Sequence, residues 1–188
     1  GTAHEGGRGI LLERIQGSAA NPVLIYNNNI NVHEGPNAEY SETNADVHGL
    51  RIRYGCHDMR IYDNIIIATG DNDIATANYG TSAFALRYSL EQNDTTEEHL
   101  ATTNNIIENN HFKAQSLNSG VLTYAVCFDA VTVADTGLIF RYNLLEGDNI
   151  LVGFGESNEG AKGITIKNDT LSFLSPTYLP KTFTVGKS

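Results

Sequence analysis

The chain has 188 residues, and 22 acidic against 12 basic side chains give it a formal charge of −10. That balance argues against nucleic acid as a partner, since phosphate binding needs a basic footprint. No apolar run approaches membrane-spanning length, and the length suits one domain, 1–188, with a buried core.

Taken in order, a Gly-rich lead-in (1–8) precedes an apolar-alternating run, GILLER (Gly9–Arg14), and a turn at Gln16–Pro22. Next come VLIYNNNINV (Val23–Val32) and a polar insertion from His33 to His48. The stretch Gly49–Ala68, GLRIRYGCHDMRIYDNIIIA, then packs three short alternating runs between minimal breaks. Its breaks lack the Asn-Gly or Gly-X chemistry of tight hairpins, so a meander is excluded. What remains is one layer of a coil, stacked on copies of itself.

The copies follow. A loop at Thr69–Ser82 leads to AFALRY (Ala83–Tyr88), a polar insertion at Ser89–Asn104, and NIIENNHFKA (Asn105–Ala114). Gln115–Thr123 leads to YAVCFD (Tyr124–Asp129) and LIFRYNLLEG (Leu138–Gly147). Asp148 leads tightly into NILVGF (Asn149–Phe154), and ITIKNDTLSF (Ile164–Phe173) closes the pattern before a tail, 174–188. Core layers therefore span 9–173.

Aligned, the second and third runs put Asn28, Asn64, Asn110, Asn143 and Asp169 in one column. Ile25, Ile61, Ile107, Phe140 and Ile166 form another, and Ile30, Ile66, Phe112, Leu145 and Leu171 a third. Layer lengths vary between roughly 26 and 46 residues, within the range of a solenoid with loop insertions. The turn at the amide column needs a left-handed residue, which Asn tolerates. Amides stacked about 4.8 Å apart can also bond to each other.

This column resembles the Asn ladder of the right-handed parallel β-helix superfamily, which includes pectate lyases, other polysaccharide lyases and phage tailspikes. The resemblance implies an all-β, right-handed parallel β-helix of about five rungs, with long loops before the first-strand sheet. In such enzymes those loops wall a substrate cleft and the first-strand sheet floors it. No capping helix is visible, so the chain reads as a piece of a longer solenoid or a partner for another β-helix domain or subunit at an uncapped end.

Strict alternation turns Leu50, Ile52, Phe84, Leu86, Ala125 and Cys127 inward on the first-strand sheet, and leaves Glu13, Arg53, Arg87, Phe128 and Gly153 as one outward column, with Arg51 beside it. Arginine presents a planar fork suited to a carboxylate. Arg53 and Arg87 are thus candidates for catalysis on an acidic sugar, since an Arg on this sheet is the base in the enzymes resembled. Arg51, Glu13 and Phe128 are candidates for substrate binding, Phe128 as a stacking surface. A Glu13–Arg53 ion pair is the structural alternative. His48, just before its strand, is the best-placed acid or base.

Asp71 and Asp73, with Asp46, offer oxygens for calcium, although the full calcium-loop spacing is absent. Cys56 and Cys127 are expected to be unpaired, at about 9.6 Å apart across two layers. The expected function is an extracellular or cell-surface, carbohydrate-engaging protein, a lyase or hydrolase of acidic polysaccharide. The alternative is a non-catalytic glycan-binding, adhesive or structural module, motivated by the few layers and the lack of a complete catalytic set.

Overall fold

The computed structural model describes residues 7–33, 46–70, 82–89, 102–117, 122–129, 135–154 and 162–173. The strands come in threes: β1 (Arg8–Glu13), β2 (Val23–Tyr26) and β3 (Asn29–His33); then β4 (Val47–Arg53), β5 (Met59–Tyr62) and β6 (Ile65–Gly70). They continue with β7 (Ser82–Ser89), β8 (Ile106–Glu108) and β9 (His111–Ser116); β10 (Leu122–Asp129), β11 (Asp135–Arg141) and β12 (Leu144–Gly147); and β13 (Ile150–Phe154), β14 (Lys162–Lys167) and β15 (Thr170–Phe173). Among the described residues there is no helix, so none is long and apolar enough to cross a membrane.

Every third strand pairs, in parallel, into the same sheet. The first sheet runs β1-β4-β7-β10-β13, the second β2-β5-β8-β11-β14 and the third β3-β6-β9-β12-β15. Three stacked parallel sheets of five strands are the arrangement of a β-helical solenoid. The register follows the sequence columns: Ile25 pairs with Ile61, Ile61 with Ile107, and Phe140 with Ile107 and Ile166. Ile66, Phe112 and Leu145 likewise stack in the third sheet. Ile61, Ile107, Phe140, Ile66, Phe112 and Leu145 are buried, whereas Ile25 is half-buried and Ile166, in the last layer, is exposed; Phe140 closes the core against both Phe112 and Phe128. Burying each contributes about 1.5–3 kcal/mol.

The turn between second and third sheets corrects one expectation. The left-handed residues are Asn27, Asp63, Asn109, Tyr142 and Asn168 (φ 55–58°), each one place before the amide column. The column residues are spared that strain and serve as hydrogen-bond hubs. Asn64 Nδ2 donates to Asn110 Oδ1 at 2.9 Å, to Tyr62 O at 3.0 Å and to Ile25 O at 3.0 Å. Its own Oδ1 accepts from the backbone N and the Nδ2 of Asn28. Asn110 and Asn143 repeat the pattern upward, and the chain of bonds ends on Asp169 Oδ1. These buried amides are satisfied by one another, which is what makes them tolerable in a core.

A second correction concerns the first sheet. Its strands break alternation once, at the same place: Gly49 and Leu50, Ala85 and Leu86, and Ala125 and Val126 are consecutive buried pairs. The bridge register skips the first member of each pair. A side chain at Gly49 would sit 2.8 Å from the Ala85 carbonyl oxygen, so the small residue permits the bend. Before the slip Val47 and Ala83 pack inward in a small cluster of their own; after it Ile52, Tyr88 and Phe128 do so in the main core. Phe84, expected inside, therefore lies on the outer side of the sheet, where it is 6% exposed, and Phe128, expected outside, faces in.

Candidate functional site

The slip leaves three columns on the outer face of the first sheet. The first is Arg8, His48, Phe84, Tyr124 and Ile150. The second is Leu11, Arg51, Arg87, Cys127 and Gly153, and a third carries Glu13 beside Arg53. In the first column the rings stack: His48 and Phe84 lie 5.2 Å apart at 7°, and Phe84 and Tyr124 4.8 Å apart at 14°. Gly153 makes room for the last of these, since a Cβ there would come within 2.7 Å of the Tyr124 ring. The Arg87 guanidinium lies 4.9 Å over Phe84, so an aromatic strip and a cationic strip run side by side.

The charges on this face are unequal in their partners. Arg53 is ion-paired with Glu13 and lies over Tyr54. Arg87 Nη1 donates to Asp46 Oδ2 at 3.1 Å, and Asp46 Oδ1 accepts from Ser82 N at 3.2 Å. Arg51 stands beside Arg87 in register, and its buried Nε has no hydrogen-bond partner among the described residues. Burial first, then Arg87, Arg53 and Arg8, lower its pKa to about 10.

His48 is 2% exposed. Its Nε2 lies 3.4 Å from Arg87 Nη1. An arginine N–H only donates, so Nε2 accepts and the ring proton belongs on Nδ1, an assignment made from the bonding network. That Nδ1 is buried and lacks a partner among the described residues. Burial, followed by Arg51, Arg87, Arg8 and Arg53, lowers the imidazole pKa to about 2. The ring is neutral at ordinary pH, so it is a hydrogen-bonding group and no cationic acid.

Of the residues singled out from sequence, His48, Arg51 and Arg87 come together. Arg53 sits further along β4 and its charge is met by Glu13. Phe128 does not belong to this face: it is fully buried, edge-on to Tyr88 and Phe140. The rings placed on this face are Phe84 and Tyr124, which strict alternation missed. The signal that could have found them is the small residue, Gly49, Ala85 or Ala125, at one point of three successive strands. Cys127, expected inside, shares the column of Arg87; both cysteines are buried and neither is joined in a disulfide. Asp71 and Asp73 lie outside the described residues, and among the described residues no three His, Cys, Asp or Glu gather as a metal site.

Comparison with protein-family models, with characterised proteins and with solved structures gives no match. The chemistry must therefore be read from the face itself. It sets mutually stacked, largely buried rings beside guanidinium groups, with a neutral imidazole in contact with both, and a local excess of positive charge on a chain of charge −10.

Proposed function

We propose that the chain is a right-handed, five-rung coil of the pectate-lyase-like kind that engages an acidic polysaccharide on the outer face of its first sheet. The observation that carries this reading is the juxtaposition of Arg51 and Arg87 on adjacent strands with the Phe84–Tyr124 ring stack. Acidic groups suit a guanidinium fork, and the rings, whose faces are taken up by one another, form a fixed wall beside it. A secreted or cell-surface setting follows from that substrate class.

Binding is the primary activity in this reading. If an arginine acts as base in a lyase reaction, Arg51 is the candidate rather than Arg53 or Arg87, because its pKa is lowered. At a value about 10, only about one molecule in a thousand is neutral at pH 7, and a bound anion reduces that fraction further. The non-catalytic reading is favoured by two further observations: Arg53 and Arg87 already hold carboxylates of the chain itself, Glu13 and Asp46.

Affinity electrophoresis in polygalacturonate gels against neutral dextran gels tests the proposal. Retardation by the polyuronate alone, lost in Arg51→Gln, is the expected result; equal mobility in both gels refutes it. Ultraviolet absorbance of an unsaturated product in the same mixtures separates a lyase from a binding module.

A further inference from the structure

The region around His48 and Arg51 carries two hydrogen-bond donors with nothing to receive them. Nδ1–H of His48, a residue 2% exposed, and Nε–H of Arg51, three places along the same strand, are both buried and unpartnered among the described residues. A buried donor left unmade costs about 1–3 kcal/mol, more when charged. Both groups face outward on β4, on either side of the Gly49–Leu50 slip, which brings two outward residues three places apart onto the same face. Arg87 stands one strand away, roughly 4.8 Å, and repels Arg51 across that gap. Asp46 accepts from Arg87 and no carboxylate among the described residues pairs with Arg51. Two orphan donors in a positive field on a fixed sheet are the parts of an oxyanion socket.

We propose that His48 Nδ1–H and Arg51 Nε–H, with the charge of Arg87 beside them, form a discrete site for one compact oxyanion. The group bound is a carboxylate or a sulfate ester carried by a glycan, two sources that share the same oxygen chemistry. The Phe84 stack holds the imidazole in place. The inference sharpens the glycan reading above by naming the residues and the functional group, yet a free ion tests it without any polysaccharide.

The test is thermal unfolding and calorimetric titration of the full chain with sodium sulfate and with sodium glucuronate, each against sodium chloride at matched ionic strength. The expected result is a saturable rise in Tm with one or both oxyanions and none with chloride. Sulfate alone points to an ester, glucuronate alone to a uronate. Affinity is expected to fall at least tenfold in Arg51→Gln and in His48→Phe, which keeps the ring stack but removes the donor. Arg51→Lys keeps the charge, loses the Nε–H and falls between. Lys113→Gln, on the outer face of the third sheet, is expected to bind as the parent does.

Oxyanions no better than chloride overturn the socket, as does undiminished binding in both Arg51→Gln and His48→Phe. If the variants unfold, imidazole ¹⁵N–¹H correlation spectra of the unaltered protein decide: a proton on Nε2, or an Nδ1–H signal unmoved by saturating sulfate and glucuronate, also overturns it. A chain that binds free oxyanions but no polyuronate keeps the socket and refutes the glycan reading. Polyuronate binding that survives Arg51→Gln, with free ions inert, refutes the socket alone.

Discussion

The second sheet and the first both carry arginines on their outer faces, and they resolve that charge in opposite ways. On the second sheet, Arg60 and Arg141 close on Glu108 from the strands on either side, at 2.8 Å and 2.7 Å through their Nε atoms. Glu108 is 4% exposed, and the Tyr26–Tyr62 stack extends its column. On the first sheet, the strand positions flanking Arg51 hold Leu11 and Arg87, so no acid occupies the place that Glu108 fills. One face is self-satisfied and structural; on the other, Arg53 and Arg87 hold Glu13 and Asp46, and Arg51 is left without an acid beside it among the described residues. The sequence composition of the two faces differs little, and the position of a single carboxylate in the register decides which is which.

Breaking the self-satisfied face carries the largest expected effect. Glu108→Gln leaves two guanidinium groups around a neutral amide and is expected to cost about 2–4 kcal/mol, below the full figure for a buried pair because both arginines reach solvent. Urea unfolding at neutral pH measures it. Burial alone would raise the Glu108 pKa, but hydrogen bonds from Arg141 and Arg60 hold it below the usual range. A depressed folded value stabilises above the unfolded pKa and is lost as pH falls through the folded one. The difference between parent and Glu108→Gln should therefore shrink in acid; a gap independent of pH would refute the ion-pair account.

The amide column gives the next effect. Asn64→Ala removes a side chain whose two N–H groups reach three acceptors and whose oxygen accepts two bonds. A cost of about 3 kcal/mol is expected, from lost bonds and orphaned buried partners. Thermal unfolding checks it, with Asn31→Ala on the exposed face of β3 as the near-neutral reference.

A sharper contrast comes from removing one arginine on each face. Arg141→Gln strips Glu108 of half its partners and is expected to destabilise by about 1–2 kcal/mol. Arg51→Gln removes a cation that has only like charges beside it and is expected to be neutral or stabilising by about 0.5 kcal/mol, with the gain fading at high salt as repulsion is screened. Denaturation curves of both variants at low and high salt test the pair. If Arg51→Gln proved the more damaging, the two faces would not differ as described.

What was legible in advance follows from period. Ile25, Ile61 and Ile107 recur at fixed offsets from Asn28, Asn64 and Asn110, and strands that short with one buried side admit a single register. The first-sheet face was half legible. Arg51, Arg87 and His48 stand where alternation or proximity put them, but the slip at Gly49, Ala85 and Ala125 reverses every residue on one side of it. An apolar strand such as AFALRY alternates acceptably in either phase, so Phe84 and Phe128 changed places unnoticed. The sequence places the left-handed turn residue one position late, because Asn occupies both positions in two of the turns; Tyr142 in that conformation has no sequence signal at all.

The smallest expected effect lies at the end of the amide column, where an acid replaces the amide. Asn28, Asn64 and Asn110 each use Nδ2 to donate to the carbonyl two residues back. Asp169 has an oxygen in place of that nitrogen, and its Oδ2 is buried with no partner among the described residues. Burial pushes its pKa up, against hydrogen bonds from Asn143 and the Lys167 backbone. A raised folded pKa means the protonated form stabilises: the contribution is present below the unfolded pKa, near 3.9, and is lost as pH rises through the folded value. Asp169→Asn restores a permanent donor, so it should gain about 1 kcal/mol at neutral pH and nothing near pH 3. Parallel thermal melts across that range decide the matter. An asparagine that helps equally at both ends would mean that the proton on Oδ2 plays no part, and that the column ends in solvent rather than in the core.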